Sequence, residues 1–137
     1  MIRLTRRYGF SASHRLHSVA LSDEENRALY DKCNNPYGHG HDYQLEISVR
    51  GSVDPASGRV VEVGLLDDLV RREIVAPFDR CNLNADIPEL RDAVPTTENL
   101  AIAIESRLRA CWPARFAELD RVALRETRRN RFELRSV

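Results

Sequence analysis

The chain has 137 residues, 42% hydrophobic and 31% charged, which fits one soluble domain able to build a core without disulfides. No apolar run is long enough to span a bilayer, and the first ten residues, MIRLTRRYGF, carry charge but no apolar leader segment, so a cytoplasmic protein is expected. The formal net charge is zero, which gives no general case for nucleic acid or membrane as a partner, and Cys33, Cys81 and Cys111 are odd in number with no CxxC, which argues against a disulfide framework or a four-cysteine zinc site.

Residues 2–12 alternate and close on Tyr8, Phe10 and Ala12 at one parity, which predicts a strand. Ser22 followed by Glu25 is a capping-box pair and predicts a short helix over 23–31. CNNPYGHG (33–40) is rich in turn residues and predicts a loop. Over 41–50, Tyr43, Leu45, Ile47 and Val49 alternate with polar residues, the pattern of a half-buried strand. DPASG (54–58) reads as a turn and RVVEV (59–63) as the returning strand of a hairpin. Leu66, Leu69, Val70 and Ile74 predict a helix over 65–76 that ends at Pro77. After a loop with Asn82, Asn84 and Pro88, Thr96 or Thr97 caps a second helix, with Glu98 in its first turn, Leu100, Ile104 and Leu108 as its buried stripe and Pro113 as its stop. RVALRE (121–126), a turn at 127–130 and RFELRS (131–136) predict a last hairpin. The order is α+β, an antiparallel sheet with helices on one face.

His39 and His41 stand two apart at the start of a strand, so both imidazoles aim at one side, the side of Tyr43 and Leu45. His14 shares the inward parity of Phe10 and Ala12. Three inward histidines at the ends of two strands suit a three-imidazole zinc site with one open position, the pattern of catalytic zinc; HxH alone is better explained by ordinary loop histidines. Cys33 precedes His39 by six residues on the same loop. It reads equally as a small buried side chain or as a thiolate base activated by nearby positive charge; a fourth ligand, which would close the site, is the remaining reading. Glu126 has the inward parity of Val122 and Leu124 and needs a partner, either an arginine or the paired donors of a guanidine-like heterocycle edge.

FSASHRL (10–16), CNNPYGHGHDY (33–43), FDRCNLN (78–84), PTTENLA (95–101) and LRET (124–127) together resemble the 6-pyruvoyl-tetrahydropterin synthase and 6-carboxytetrahydropterin synthase family, over residues 3–132 and in the same order. The five-residue spacer between Cys33 and HGH is similar to the pyruvoyl branch. The resemblance implies a T-fold, a four-stranded antiparallel sheet with two helices on one face, assembled as an oligomeric barrel, a homohexamer made of two trimers. It implies Zn2+ on His14, His39 and His41, Cys33 as the proton-abstracting residue, Glu126 as the pterin anchor, and Thr96, Thr97 and Glu98 lining the pterin pocket. The implied reaction is loss of triphosphate from 7,8-dihydroneopterin triphosphate with internal hydrogen shifts, giving 6-pyruvoyl-tetrahydropterin. The family usually reads Asp-His where this chain has Asp79 and Arg80, so the relay Cys–Asp–His lacks its base here. A guanidinium, whose pKa stays above about 12, holds charge but does not shuttle protons. His17 is a candidate substitute. The same scaffold could instead form 6-carboxytetrahydropterin, cleave a dihydroneopterin side chain, or bind zinc and a pterin without turnover.

Overall fold

The computed structural model describes residues 1–135; the last residue of the predicted strand 131–136, Ser136, lies outside them. Strand β1 (Ile2–His14) pairs antiparallel with β2 (His39–Gly51), and helix α1 (Asp23–Tyr30) with a 3-10 turn (Asp31–Asn34) lies between them in the chain. The Ser22–Glu25 capping box at the start of α1 is formed in both directions. Helix α2 (Val63–Val70) runs through a π turn (Arg71–Val75) into a last turn, α3 (Ala76–Phe78). Strand β3 (Cys81–Asn82), the short helix α4 (Leu83–Asp86) and a 3-10 turn (Pro88–Leu90) lead to α5 (Thr97–Cys111), then β4 (Glu118–Arg125) and β5 (Phe132–Arg135). The sheet order is β3-β1-β2-β4-β5.

Alternation places the core. Tyr8, Phe10, Ala12, Tyr43, Leu45, Ile47, Val49, Leu119, Val122 and Leu124 are buried under Leu66, Val70, Ile74 and Phe78 from the α2–α3 segment and Leu100, Ile104 and Leu108 from α5. Each fully buried side chain of this kind contributes about 1.5–3 kcal/mol. A one-residue slip of β2 would exchange that face for Asp42, Gln44 and Glu46, so the register is strongly held. The outward face carries a polar ladder: Arg3, Arg7, Arg121, Arg131 and Arg135 contact Glu46, Asp120 and Glu133.

Three expectations are corrected. Residues 59–63 are not a strand: β2 already pairs with β1 on one edge and β4 on the other, so no edge is left for a hairpin partner. The segment instead closes a turn, with the Asp54 amide donating to the Arg59 carbonyl at 2.9 Å, and Val63 already starts α2. The second correction is at Pro77, which sits inside the last helical turn rather than ending the helix before it. Proline lacks the amide hydrogen and crowds the carbonyl four residues back; the chain widens into the π turn immediately upstream. Third, the sheet has five strands rather than four, because the two-residue β3 adds in parallel beside Ala12 and Ser13. The antiparallel body of four strands and the helical face are as expected.

One buried carboxylate ties α2 to β1. Asp67 accepts from Arg6 Nε at 3.1 Å and Nη2 at 2.7 Å and from the Tyr8 hydroxyl at 2.6 Å. The Arg6 hydrogen bonds, ahead of that from Tyr8, hold Asp67 below its ordinary value of 3.8. Its stabilisation is therefore complete above the ordinary carboxylate range and lost as the pH falls through the lowered folded value. Asp67→Ala is expected to cost about 2 kcal/mol in urea denaturation at neutral pH, since it leaves the Tyr8 hydroxyl without its charged acceptor. The difference from the parent should shrink below about pH 4; a pH-independent difference would mean the ion pair contributes nothing.

Candidate active site

The end of β1 meets the start of β2 with His14 directly opposite His39 and Ala12 opposite His41. Gly38 makes this approach possible. Its φ is +71°, and a Cβ there would come within 2.9 Å of the His14 carbonyl oxygen, so only glycine fits. The ligand atoms of His14, Cys33, His39 and His41 all lie within 4.8 Å of one another, a group able to hold a metal ion. His14 is 1% exposed, and its Nδ1 lies 3.0 Å from the Pro95 carbonyl oxygen. A carbonyl only accepts, so Nδ1 carries the proton and Nε2 presents a lone pair. The Tyr43 hydroxyl lies 3.3 Å from the same Nδ1. Burial pushes the pKa of both His14 and His41 down, which favours the neutral form a metal ligand needs.

Glu126 stands at the end of β4, and Thr97, 2% exposed at the start of α5, donates its hydroxyl to Oε2 at 2.7 Å. Oε1 lies 2.7 Å from His41 Nε2 and 3.4 Å from His14 Nε2. These three atoms are buried, yet none completes a directional hydrogen bond. His14 Nε2 and Glu126 Oε1 are both acceptors, and buried acceptors without a donor are an arrangement that a nearby cation satisfies. The donor set, imidazole with one thiol, suits zinc or a similar transition metal better than a hard cation.

Cys33 is half-buried, with Sγ 3.1 Å from His39 Nε2. Burial first, then the charges of Glu126 and Asp31, push its thiol up. Among the described residues the charges that act on it are negative, so the expected activation by positive charge would come from a cation in the histidine cluster.

Of the other residues singled out by sequence, Thr96 is the cap of α5, accepting from the Asn99 amide at 3.2 Å, and Glu98 is exposed on the first turn. Asp79 accepts from the Ser11 amide at 2.9 Å. Arg80, in the left-handed region at φ +59°, lines a cavity of about 310 Å³ with Ser11, Ser13, Asp42 and Cys81. One chain thus gathers His14, His39, His41, Cys33, Thr97 and Glu126 and holds Asp79 and Arg80 on the Ser11 backbone at the edge of β1, with His41 and Ala12 also lining the Arg80 cavity. Sequence reasoning missed the residues that hold the loops: Asn34, 5% exposed, and Asn84, whose side chain bonds both the amide and the carbonyl of Arg15. Their only signal was asparagine in turn-rich stretches, which read as loop propensity.

About one metal ion per chain is expected to co-purify, as in a three-imidazole site. His39→Ala and His41→Ala should each lose most of it by elemental analysis after dialysis. Retention of full metal by either folded variant would remove that histidine from the site.

The family described as 6-pyruvoyl tetrahydropterin synthase matches residues 3–136. The chain is 50% identical over 111 residues to the 6-pyruvoyl tetrahydrobiopterin synthase of Poecilia reticulata, covering 81% of this chain and 76% of that protein. It is 44% identical over 128 residues to the human enzyme of the same name, covering 93% and 87%. The solved structure of the Caenorhabditis elegans 6-pyruvoyl tetrahydropterin synthase superposes with a TM-score of 0.89 at 35% identity, over 99% of this chain and 96% of that one. With this match across nearly the whole sequence and fold, the chain belongs to the 6-pyruvoyl tetrahydropterin synthase family.

Proposed function

We propose that the chain is a zinc enzyme that eliminates triphosphate from 7,8-dihydroneopterin triphosphate to give 6-pyruvoyl-tetrahydropterin. Lyase activity of the synthase type follows from its named relatives. The observation that carries the finer reading is the clustering of the His14, Cys33, His39 and His41 ligand atoms within 4.8 Å of one another, with Glu126 beside them. His14, His39 and His41 would hold the zinc. Bound there, zinc supplies a Lewis acid that acidifies the side-chain hydroxyls and adjacent C–H bonds of a substrate.

The protein's own groups do the rest. Glu126, held through Oε2 by Thr97, accepts the paired N–H donors of the pterin's amino-pyrimidine edge. Cys33, with its Sγ beside His39 Nε2, removes a proton from the substrate side chain. The C–O bond to triphosphate breaks, and the remaining hydrogens move from side chain to ring, so no external oxidant or reductant is consumed. Thr96 shapes the start of α5, and Glu98 borders the same end of the helix. Asp79 and Arg80 pack on the Ser11 backbone at the edge of β1, and Arg80 shares a cavity with His41. A homohexamer of two trimers is consistent with the sheet's edges: β1 pairs outward only at Ala12 and Ser13, and the far side of β5 is unpaired among the described residues. No helix among the described residues is long and apolar enough to cross a membrane, in line with a cytoplasmic enzyme.

Two observations keep a second reading in view. Cys33 belongs to the four-residue ligand group, so it could close the metal site. Arg80 replaces a proton-carrying group, which favours slow turnover, diversion to 6-carboxytetrahydropterin or side-chain cleavage, or ligand binding alone.

Incubation with 7,8-dihydroneopterin triphosphate and identification of the pterin by mass spectrometry tests the assignment; a cleaved or carboxylated pterin as main product overturns it. Glu126→Gln should weaken pterin binding by about 1–3 kcal/mol in calorimetry, because one acceptor becomes a donor facing N–H groups. Unchanged affinity would take Glu126 out of pterin recognition. Cys33→Ala should abolish product, whereas Arg80→His should raise the rate, since a general acid–base group is worth roughly 10²–10⁴-fold. Persistent activity in Cys33→Ala would reassign the base, and equal rates for the parent and Arg80→His would make the relay dispensable.

A further inference from the structure

His17 is the one histidine outside the metal cluster and, by sequence, the candidate stand-in for the missing relay base. The structure turns its Nδ1 to Asn34 instead, 3.1 Å from Nδ2. Asn34 directly follows Cys33 on the 3-10 turn and is 5% exposed. Its Nδ2 also lies 2.7 Å from the Leu16 carbonyl oxygen, which identifies that atom as the donating nitrogen. The second hydrogen of the same amide points to His17, so Nδ1 of His17 is a lone-pair acceptor and its proton sits on Nε2. Leu16 in turn donates its own amide to the Cys33 carbonyl at 2.6 Å. With Arg15 Nε donating to the Asn34 carbonyl at 3.1 Å, four contacts clamp the turn bearing Cys33 to the chain immediately beyond His14.

We propose that Asn34 and His17 form a latch that positions the Cys33 sulfur against the histidine cluster, with His17 serving as a hydrogen-bond acceptor and not as a proton carrier. A buried amide hydrogen left without its acceptor is costly, so loss of the His17 nitrogen drives the turn to open toward water. On its other side His17 borders a cavity of about 390 Å³ lined by Arg91 and Asp92, so a replacement side chain has room and does not overpack the site. The latch rests on the reading of Cys33 as the base only for its kinetic consequence; where the sulfur is held is a separate matter.

His17→Leu removes the acceptor, whereas His17→Asn sets a carbonyl oxygen close to where Nδ1 stood. In the metal-loaded protein, alkylation of Cys33 by iodoacetamide is followed by peptide mass spectrometry, with Cys81 and Cys111 as internal references. His17→Leu is expected to raise the Cys33 rate roughly three- to tenfold, the factor one net hydrogen bond is worth, with metal content and reference thiols unchanged. Its kcat on the pterin substrate should fall roughly tenfold with KM little changed, the pattern of a misplaced reacting group. His17→Asn should restore both readouts to near the parent. Should His17→Leu unfold, Asn34→Asp replaces it: the carboxylate faces the Leu16 carbonyl, and the same rise in Cys33 alkylation is expected. Unchanged Cys33 reactivity in a folded His17→Leu protein overturns the latch, as does a His17→Asn protein as slow as His17→Leu with ordinary thiol reactivity, which marks a proton carrier. If the parent shows no pterin turnover, the proposed reaction fails, and the alkylation comparison still decides the latch.

Discussion

The pairing of β1 with β2 that sets His14 opposite His39 is the constraint on which the other features rest. A strand carries its side chains with a period of two, so one register brings three imidazoles together and the adjacent one disperses them. The apolar residues that continue along both strands enforce that choice: Phe10 stacks on Tyr43 at 5.2 Å between centroids, and Leu45 and Ile47 are fully buried. Chemistry at the strand ends is therefore held by hydrophobic packing along the strand bodies. Gly38 adds the one local condition, a close backbone approach that no side chain tolerates.

Without a bound cation the site carries a cost. His14 Nε2, His41 Nε2 and Glu126 Oε1 meet out of water without completed hydrogen bonds, and burial and negative neighbours push the Cys33 thiol up. A bound dication reverses each of these terms, so metal binding and site stability are coupled. The segment ahead of α5 supports the arrangement from one side. Its Pro95 carbonyl sets the tautomer of His14, and two residues on Thr97 holds one oxygen of Glu126. One short stretch of backbone thus orients both a metal ligand and the proposed substrate anchor.

Periodicity made the β1, β2, β4 and α5 elements legible, because each shows a face to the core and a face to water over eight or more residues. It failed at RVVEV, whose strand-like composition says nothing about whether a neighbouring edge is free. It failed again at Pro77, where a local rule gave way to a π turn that local composition does not encode. The inward parity of His14, His39, His41 and Glu126 could be read directly, since strand alternation settles it. The place of Asp79 and Arg80 at the edge of β1 could not, because β3 joins the sheet through two residues only. Asn34 was invisible as a structural residue: its role lies in contacts with Leu16 and His17, nearly twenty residues earlier, and turn propensity carries no information about partners at that distance.

The ladder of arginines and carboxylates on the outward face bears on how copies of this chain could meet. Those side chains pair with one another across four strands, five arginines to three carboxylates, with Glu46 and Glu133 each shared between arginines, so the set keeps a positive excess. Such a face is too polar to bury against a greasy one, and its surplus charge disfavours packing against its own copy. What it leaves available to another copy is main-chain hydrogen bonding along the sheet margins, which depends little on mobile ions. Contact made in that way would answer to protein concentration far more than to ionic strength.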